Sequence, residues 1–379
     1  MDLAHSPADE ALRAEARSWL AEHVPAVPLP SLETERGFAA HRAWEAELAA
    51  DRWSVVSWPA AYGGRDAGLT GWLVFEEEYY AAGAPGRVGQ NGVGLLAPTL
   101  FEHGTPEQRA RVLPPMARGE VVWAQAWSEP EAGSDLASLR SRAVRAAGGW
   151  RVSGQKAWSS RATFADRAFG LFRSDPDTPR PHQGLTYLMF DLRAPGVTVR
   201  PVGRLDGKPA FAELFLDDVF VPDEDVIGEP GQGWRVAMAT TGNERGLTLR
   251  SPGRYRAAAD RLLRLWRERG CPASAREGVA DALIGARAYE LFTYAGASRV
   301  LEGEAMGPEA SLNKVFWSEY DIALHETALD LLGEDGEWAD GEWGQGYVFS
   351  LAGPVYAGTN EIQRDIIAER LLGLPKGRR

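Results

Sequence analysis

The spacing of apolar residues divides the chain into a helical segment, a β segment and a second helical segment. Between about residues 7 and 120, leucines and aromatic residues recur three and four positions apart, as in ADEALRAEARSWLAEH, which predicts amphipathic helices. From about 121 to 230, short alternating runs such as LTYLMF and FAELFL lie between Gly, Pro and Asp, which predicts a compact β domain. Helical spacing returns from about 231 onward.

This order predicts an α+β fold, mainly α, with more than one domain. The chain has 379 residues, which exceeds the ~250–300 residues over which a single core usually stops growing. We expect an N-terminal helical domain over 1–122, a central β domain over 123–230 and a C-terminal helical domain over 231–379.

Two helices are predicted with particular ends in the last segment. The run SLNKVFWSEYDIALHETALDLLG predicts a helix with Ser311 as its N-cap and Gly333 as its stop. A second helix is expected to follow Asn360 as its cap and to end at Gly373. Ala357 then lies in the turn before a helix N-terminus, whose free N–H groups favour an oxyanion or a phosphate. An ordinary helix cap explains the same pattern.

Composition and charge narrow the class of ligand. Hydrophobic residues make up 44% and charged residues 25% of the chain, as in an ordinary globular protein. The net charge of −12 argues against broad contact with nucleic acid or an anionic membrane, because both require a basic surface. An anionic ligand must therefore meet a local basic cluster.

One such cluster of arginines follows the β segment. Two interpretations stay open: a solvated helix face, in which Asp260 and Arg264 form an i,i+4 pair, or a site for the phosphates of a cofactor or of coenzyme A. The eight residues are Arg245, Arg250, Arg254, Arg256, Arg261, Arg264, Arg267 and Arg269.

Other chemistries find little support. The single cysteine, Cys271, excludes an intramolecular disulfide and fits a cytoplasmic protein, as do the frequent charges near the N-terminus. The six histidines are scattered without ligand spacing, so we expect no metal. GVGLLA at 92–97 matches a dinucleotide fingerprint in letters but follows turn-like residues, so it is interpreted as a loop with a helix start. Without a G-x-S-x-G motif, serine hydrolase chemistry has no anchor.

Two tryptophan motifs suggest a flavin. AWSEPEAGSD at 126–135 and GQKAWSS at 154–160 each place a Trp beside small hydroxyl residues in predicted turns of the β domain. An isoalloxazine ring needs a flat apolar surface together with hydroxyl or amide donors at its edge. Core packing explains most of the fourteen Trp, and either motif alone would be weak.

Four motifs in order resemble the acyl-CoA dehydrogenase family. They are WAQAWSEPEAGSDL at 123–136, GQKAWSS at 154–160, NERG at 243–246 and GTNEIQR at 358–364. The resemblance implies an acyl-CoA dehydrogenase-like fold, in which the C-terminal domain is a four-helix bundle, and FAD as cofactor. It also implies an acyl-CoA or acyl-carrier-protein substrate, an electron acceptor such as an electron-transfer flavoprotein, and a homotetramer or heterotetramer.

The resemblance also implies roles for particular residues. Trp158 would pack against the flavin, with the Ser160 hydroxyl bonding the ring near N5. The Ala357 N–H would bond the thioester oxygen together with a flavin ribityl hydroxyl. The implied cofactor-binding residues are Gln125, Trp127, Ser128, Gly133, Ser134, Trp158, Ser160, Arg269, Thr359 and Glu361. The implied substrate-binding residues are Ser134, Arg245, Tyr356, Ala357 and Gly358.

The catalytic base is expected on an earlier helix. The commonest family pattern, Y-E-G-T, carries the base, and here the turn has Ala357 instead. A second branch, which includes the isovaleryl and long-chain enzymes, takes its base about a hundred residues earlier, directly before an Arg, and Glu244 and Arg245 match that pair. Desaturation needs a carboxylate at Cα and flavin N5 at Cβ. A surface ion pair is the alternative, but Leu247 and Thr248 occupy the positions one helical turn on.

Three departures from the family pattern stand out. Arg269 lacks the usual Phe-Gly that follows it, and Asp330 stands where relatives have a glutamine that reaches the neighbour's FAD. Pro252 is expected to break or kink the helix after the base. The first two resemble an actinobacterial branch of two-gene heteromers acting on steroid or other unusual acyl chains. A partner subunit of such a heteromer and a flavin oxidase or hydroxylase on the same fold stay open as alternatives.

Overall fold

The computed structural model describes residues 5–244, 251–304, 307–337 and 341–376, with the backbone alone for 241–244. The chain forms two compact units. One comprises Met1–Pro25, Ala67–Ala84 and Arg245–Arg379, and the other comprises Ala26–Asp66 and Pro85–Glu244. The predicted order of helical, β and helical segments is present along the chain. Within the described residues, no helix has the length and apolar character needed to cross a membrane.

The second unit is built around an eight-stranded sheet. Its strands follow the order β6-β7-β3-β2-β4-β5-β8, and β1 pairs with β4 in parallel. Apart from the parallel pairings of β4 with β1 and β2, neighbouring strands are antiparallel. The strands are β1 (Trp123–Ala126), β2 (Arg142–Ala146), β3 (Gly149–Ser160), β4 (Arg167–Arg173), β5 (Leu185–Asp191), β6 (Val197–Val202), β7 (Phe211–Pro222) and β8 (Val226–Ile227).

The core of the sheet unit follows from the alternation along its strands. On β7, Ala212, Leu214 and Leu216 are buried and alternate with less buried neighbours, as the two-residue period of a strand requires. Phe172 and Phe190 pack edge to face at 5.9 Å in the same core. The short alternating runs in the sequence therefore correspond to real strands.

The helical unit has its own core. On α7, Ala258, Leu262 and Leu265 share one apolar stripe, which packs with residues of α8 and α9 such as Ala286 and Leu324. The helices of both units, in chain order, are α1 (Pro7–His23), α2 (Glu35–Ala50), α3 (Gly68–Ala81), α4 (Ala97–His103), α5 (Pro106–Ala117), α6 (Gly233–Glu244), α7 (Pro252–Glu268), α8 (Arg276–Leu301), α9 (Glu309–Leu332), α10 (Glu342–Ser350) and α11 (Asn360–Ile366).

Two predicted helix caps are wrong and one helix stop is confirmed. Helix α9 begins at Glu309 after Pro308, so Ser311 lies inside the first turn and is buried. Gly333 ends that helix with φ 58°, as predicted. Helix α11 is capped by Thr359, whose hydroxyl accepts from the Ile362 N–H at 3.3 Å, and not by Asn360. In both cases the polar side chain that was expected to cap the helix, Ser311 or Asn360, is buried instead.

Pro252 and the GVGLLA segment have clear structural roles. Pro252 is the first residue of α7 with Ser251 as its N-cap, a position that suits proline. The expected break or kink directly after the base falls on residues 245–250, which lie outside the described residues. Gly92–Leu96 is a π-helical turn that leads into α4, and residues 84–89 before it form no strand. The predicted helix start is confirmed, whereas the predicted loop is helical. A Cβ at Gly92 would lie 3.1 Å from the Met116 sulfur, so close packing explains the glycine.

Candidate active site

The first tryptophan motif follows directly after β1. Trp127 is buried and packs edge-on against Tyr187, with ring centroids 6.1 Å apart. The Ser128 carbonyl accepts a hydrogen bond of 2.8 Å from the Ala157 N–H of β3. Glu129 and Ala132 then exchange backbone hydrogen bonds of 3.0 and 3.1 Å, which closes the predicted turn. The motif therefore lies against β3 close to the second tryptophan motif.

The second tryptophan motif lies within β3 and not in a turn as predicted. Trp158 has a positive φ of 60°, and the pairing with β7 is irregular between Lys156 and Ser159. Trp158 is 63% exposed, and its indole packs in a T-shaped arrangement with Phe211, with ring centroids 5.8 Å apart. Ser160 returns to regular pairing, opposite Phe211. A bulge thus turns a large aromatic side chain out of the sheet in a strained conformation, which is typical of functional positions.

A buried ion pair joins the two motifs, and sequence reasoning missed it. The Lys156 ammonium lies 2.9 Å from a Glu129 carboxylate oxygen, and the Lys156 side chain is completely buried. Burial lowers the pKa of Lys156 to about 8 against the attraction of Glu129. Burial also opposes ionisation of Glu129, yet Lys156 and the Arg140 N–H hold the pKa of that carboxyl below its usual value.

The remaining site residues of the sheet unit lie near these motifs in the chain. Gln125 is half-buried in β1, opposite Phe169 of β4. Gly133 and Ser134 are exposed in the connection between β1 and β2. A Cβ at Gly133 would meet no atom within 4 Å, so packing within this unit does not require the glycine. The backbone there is accessible to a ligand.

The helix that ends at Glu244 is anchored one turn earlier. The hydroxyl groups of Thr240 and Thr99 lie 2.7 Å apart, and the Tyr187 hydroxyl lies 3.3 Å from that of Thr240. All three side chains are buried. The side chain of Glu244 lies outside the described residues, as does Arg245.

In the helical unit, the turn before α11 has a distinctive backbone. Ala357 and Gly358 both have positive φ, 57° and 79°. The buried Gln363 side chain donates from Nε2 to both carbonyls, at 3.1 and 3.2 Å. Tyr356 stacks on Trp317 with ring centroids 5.8 Å apart. The predicted substrate-binding residues Tyr356, Ala357 and Gly358 therefore form one fixed turn.

Neighbouring residues of the GTNEIQR motif in the first turn of α11 differ in their exposure to solvent. Asn360 is buried, and its side-chain oxygen accepts from the Lys314 ammonium at 2.7 Å and from Ser318 at 3.1 Å. Glu361 is exposed, and its own backbone N–H and the Thr359 hydroxyl lower its pKa. Of the two cofactor-binding candidates here, Thr359 serves as helix cap and Glu361 faces outward.

The arginine cluster is partly committed to ion pairs within its own unit. Arg254 lies 2.8 Å from the buried Asp321, and Arg256 pairs with Glu290. Arg269 bonds Asp335 at 2.7 Å on the surface. Each of these pairs neutralises one positive charge of the cluster. The pairs by themselves do not distinguish a solvated helix face from a phosphate site. Arg250 lies outside the described residues.

Within the described ranges, no group of three or more His, Cys, Asp or Glu residues could hold a metal ion. The free Cys271 is exposed. The described site residues offer aromatic surfaces, hydroxyl groups, backbone amides, carboxylates and cationic groups.

Family models match nearly the whole chain. The acyl-CoA dehydrogenase N-terminal domain matches residues 6–120, the middle domain 124–219 and the C-terminal domain 231–372. The chain belongs to the acyl-CoA dehydrogenase family. This confirms the resemblance and the predicted fold class, and it makes the protein an enzyme of a flavoprotein oxidoreductase family. The domain boundaries and the site roles stay predictions.

Named relatives align over most of their length. Acyl-CoA dehydrogenase IpdE1 of Mycolicibacterium smegmatis is 38% identical over 390 residues, covering 96% of this chain and 97% of the relative. The protein of that name from Mycobacterium tuberculosis is 38% identical over 383 residues, covering 97% and 98%. Both are acyl-CoA dehydrogenases by name, in agreement with the predicted enzyme class.

Solved structures with the same fold include two named as pairs of proteins. The steroid acyl-CoA dehydrogenase Tcur3481-Tcur3483 has a TM-score of 0.84 at 28% identity and covers 100% of both chains. The ChsE4-ChsE5 complex from Mycobacterium tuberculosis has a TM-score of 0.83 at 29% identity, again covering 100% of both.

Proposed function

We propose that this chain catalyses the FAD-dependent α,β-desaturation of an acyl thioester, with Glu244 as the base that removes the Cα proton. The observation that carries the flavin part is Trp158, a large aromatic side chain that is 63% exposed in a strained backbone conformation. Backbone strain clusters at binding and catalytic sites, so an exposed aromatic side chain held in a strained conformation is a candidate surface for a ligand.

The residues present fit FAD. Trp158 offers a flat apolar face, Ser160 offers a partly exposed hydroxyl two residues on, and Gly133 leaves the backbone open to close approach. When bound, FAD supplies the two-electron acceptor for the hydride that leaves Cβ. In this proposal Trp158 binds the ring, Ser160 and the backbone around Ser128 orient its edge, and Trp158 excludes water from it.

The proton is assigned to Glu244 for two reasons. Ala357, in the turn where many relatives carry the base, has only a methyl group. The next carboxylate along the chain, Glu361, has a lowered pKa, and a carboxylate with a low pKa is a weak base. Thr240 is bonded to Thr99 one helical turn before Glu244, which supports a fixed position for this end of α6.

The turn at Ala357 is proposed to bind the thioester. Gln363 holds the carbonyls of Ala357 and Gly358, so the turn does not need a side chain at 357 to keep its shape. The Ala357 N–H is the proposed donor to the thioester oxygen, where negative charge develops as the proton leaves Cα.

Glu244→Gln tests the base. The amide keeps the size of the side chain but cannot take a proton, so flavin reduction under anaerobic conditions should slow by about 10²–10⁴-fold. The control is Glu277→Gln, which removes an exposed carboxylate of α8 outside the predicted site and should reduce flavin at the wild-type rate. If Glu244→Gln reduces flavin normally, the base is another residue and the isovaleryl-type assignment fails.

A second candidate is the role of partner subunit in a heteromer. The two-component names of the solved structures and the surface pairing of Arg269 with Asp335 within one chain favour it. Light scattering with flavin quantification tests it, because a homotetramer with one FAD per chain would contradict this role.

The proposed desaturase acts on an acyl-CoA or acyl-carrier-protein substrate that is bulky in the manner of a steroid side chain. Re-oxidation of its flavin by an electron-transfer flavoprotein belongs to the same proposal. The cytoplasmic location stays a prediction.

A further inference from the structure

The Lys156 ammonium is fully satisfied inside the sheet unit. It donates to the Leu171 carbonyl at 2.7 Å, to Glu129 Oε1 at 2.9 Å and to the Trp127 carbonyl at 3.3 Å. An ammonium group has three donors, and each has an acceptor here. The lysine therefore connects β3, β4 and the segment after β1 at one point.

The Glu129 carboxylate completes the connection from the other side. Its Oε2 accepts from the Arg140 N–H at 2.7 Å, and its Oε1 accepts from the Ser141 N–H at 2.9 Å as well as from Lys156. These two amides belong to the chain just before β2. Both ends of the exposed connection that contains Gly133 and Ser134 are thus fixed by one carboxylate.

The ion pair lies beside the groups expected to face the flavin. Ala157 follows Lys156 and donates to the Ser128 carbonyl at 2.8 Å, and Trp158 follows with its positive φ. The contacts therefore fix Trp127 and Ser128 relative to the bulge. A shift of either segment would change the spacing between Ser128 and the Trp158 bulge.

Stability alone does not account for a charged pair at this position. Replacing a buried ion pair by apolar residues of similar size is often neutral or stabilising, because two charges lose their hydration on burial. An apolar side chain at 156, however, could not bond the Trp127 and Leu171 carbonyls.

We propose that Glu129 and Lys156 are positioning residues, which set the spacing between the Trp127–Ser128 segment and the Trp158 bulge and thereby shape the flavin-binding surface. The flavin part of this inference rests on the proposed function. The spacing itself does not, and it can be measured without flavin.

The test uses Lys156→Met and Glu129→Gln, with Asp225→Asn as matched control. Asp225 is also buried in this unit and pairs with Arg167 at 2.6 Å and Arg111 at 2.7 Å. All three changes break a buried ion pair, so all three should lower the free energy of unfolding. Only the first two should alter the flavin surface.

Two measurements separate the roles. In flavin-free protein, we take amide hydrogen exchange over 157–160 relative to exchange over 187–190 of β5 in the same variant, which removes the effect of global unfolding. This ratio should rise by about 10-fold or more in Lys156→Met and Glu129→Gln and stay within about 2-fold in the control. Upon titration with FAD, the Kd should rise by about 10-fold or more in Lys156→Met and Glu129→Gln but not in Asp225→Asn. This is the ratio expected when a hydrogen-bonded charge is lost. Unchanged exchange and unchanged Kd in Lys156→Met would overturn the inference.

Two further outcomes are informative. Wild-type protein that binds no FAD contradicts the proposed function, while the exchange measurement still decides the positioning role. If Lys156→Met does not fold, the double variant Glu129→Leu with Lys156→Met removes both charges and should fold. Wild-type exchange and FAD affinity in that double variant would overturn the inference, and faster exchange with weaker FAD binding would support it.

Discussion

Gln363 Nε2 donates a hydrogen bond of 3.1 Å to the carbonyl of Ala357, and it holds that residue in the left-handed conformation. Non-glycine residues avoid this conformation because Cβ approaches the following carbonyl, at a cost of about 1–2 kcal/mol. Gln363 Nε2 donates a second hydrogen bond of 3.2 Å to the Gly358 carbonyl. The turn proposed to bind the thioester is therefore held from within its own helix.

Removing that amide should loosen the turn. Gln363→Met keeps the length of the side chain but leaves two carbonyls without their donor, so the free energy of unfolding should fall by about 1–3 kcal/mol. Gln363→Glu should cost more, because a carboxylate oxygen would face both carbonyl oxygens. Chemical denaturation measures both. Arg370→Gln, an exposed change in the turn that follows helix α11, should remain within about 0.5 kcal/mol of wild type.

Trp158 should matter more for flavin than for folding. Trp158→Ala removes the stacking surface, and the Kd for FAD should rise about 2- to 10-fold, the range given by ~0.5–1.5 kcal/mol of aromatic contact. Trp158→Gly should lose FAD equally but unfold no more easily than Trp158→Ala, because glycine adopts a positive φ without steric cost. FAD titration and denaturation check the two parts.

A Trp158→Ala protein with unchanged FAD affinity and an unchanged visible spectrum would show that the ring binds elsewhere. Phe211→Leu is the matched control, since Phe211 touches the edge of the indole without belonging to the predicted site. It should alter FAD affinity less than Trp158→Ala does.

The fold was predictable because its signals are local and repeated. The period-two runs became β5 and β7, and ADEALRAEARSWLAEH became α1. The predicted helix caps were wrong where a polar side chain could either cap the helix or form hydrogen bonds in the interior. Asn360 has a capping side chain by type, but Lys314 and Ser318 bind it inside, and Thr359 caps the helix instead.

The candidate site was predictable in its types of residue but not in its geometry. Trp158 was placed in a turn because small hydroxyl residues surround it, whereas the structure has it on a bulge of β3, which no local pattern announces. Lys156 and Glu129 were missed because their contact depends on the pairing of β3 with the segment after β1, and each residue alone looks like an ordinary surface charge. Glu244 stays a prediction.

The low pKa of Lys156 predicts a pH dependence of stability. Burial lowers this pKa to about 8 from 10.5, with Glu129 opposing the shift. Between these two values the unfolded chain holds a proton that the folded protein has lost, so the contribution of Lys156 to the free energy of unfolding rises as the pH rises through that window. The difference between wild type and Lys156→Met isolates this contribution. It should be constant below pH 7 and become more favourable to wild type toward pH 10, and a flat difference would contradict the lowered pKa.

Arg254 provides the sharpest test of whether the arginine cluster is structural. Its guanidinium lies 2.8 Å from Asp321, a carboxylate that is only 2% exposed. Although burial opposes the charge, Asp321 keeps the pKa of Arg254 above its ordinary value. Asp321→Asn would remove the counter-charge of this cation, whose side chain is 24% exposed, so the free energy of unfolding should fall by about 1–3 kcal/mol. Asp335→Asn, which breaks the exposed pair with Arg269, should cost no more than about 1 kcal/mol. Denaturation of both variants measures the difference, and equal losses would show that Arg254 does not depend on Asp321 and leave it available for an anionic ligand.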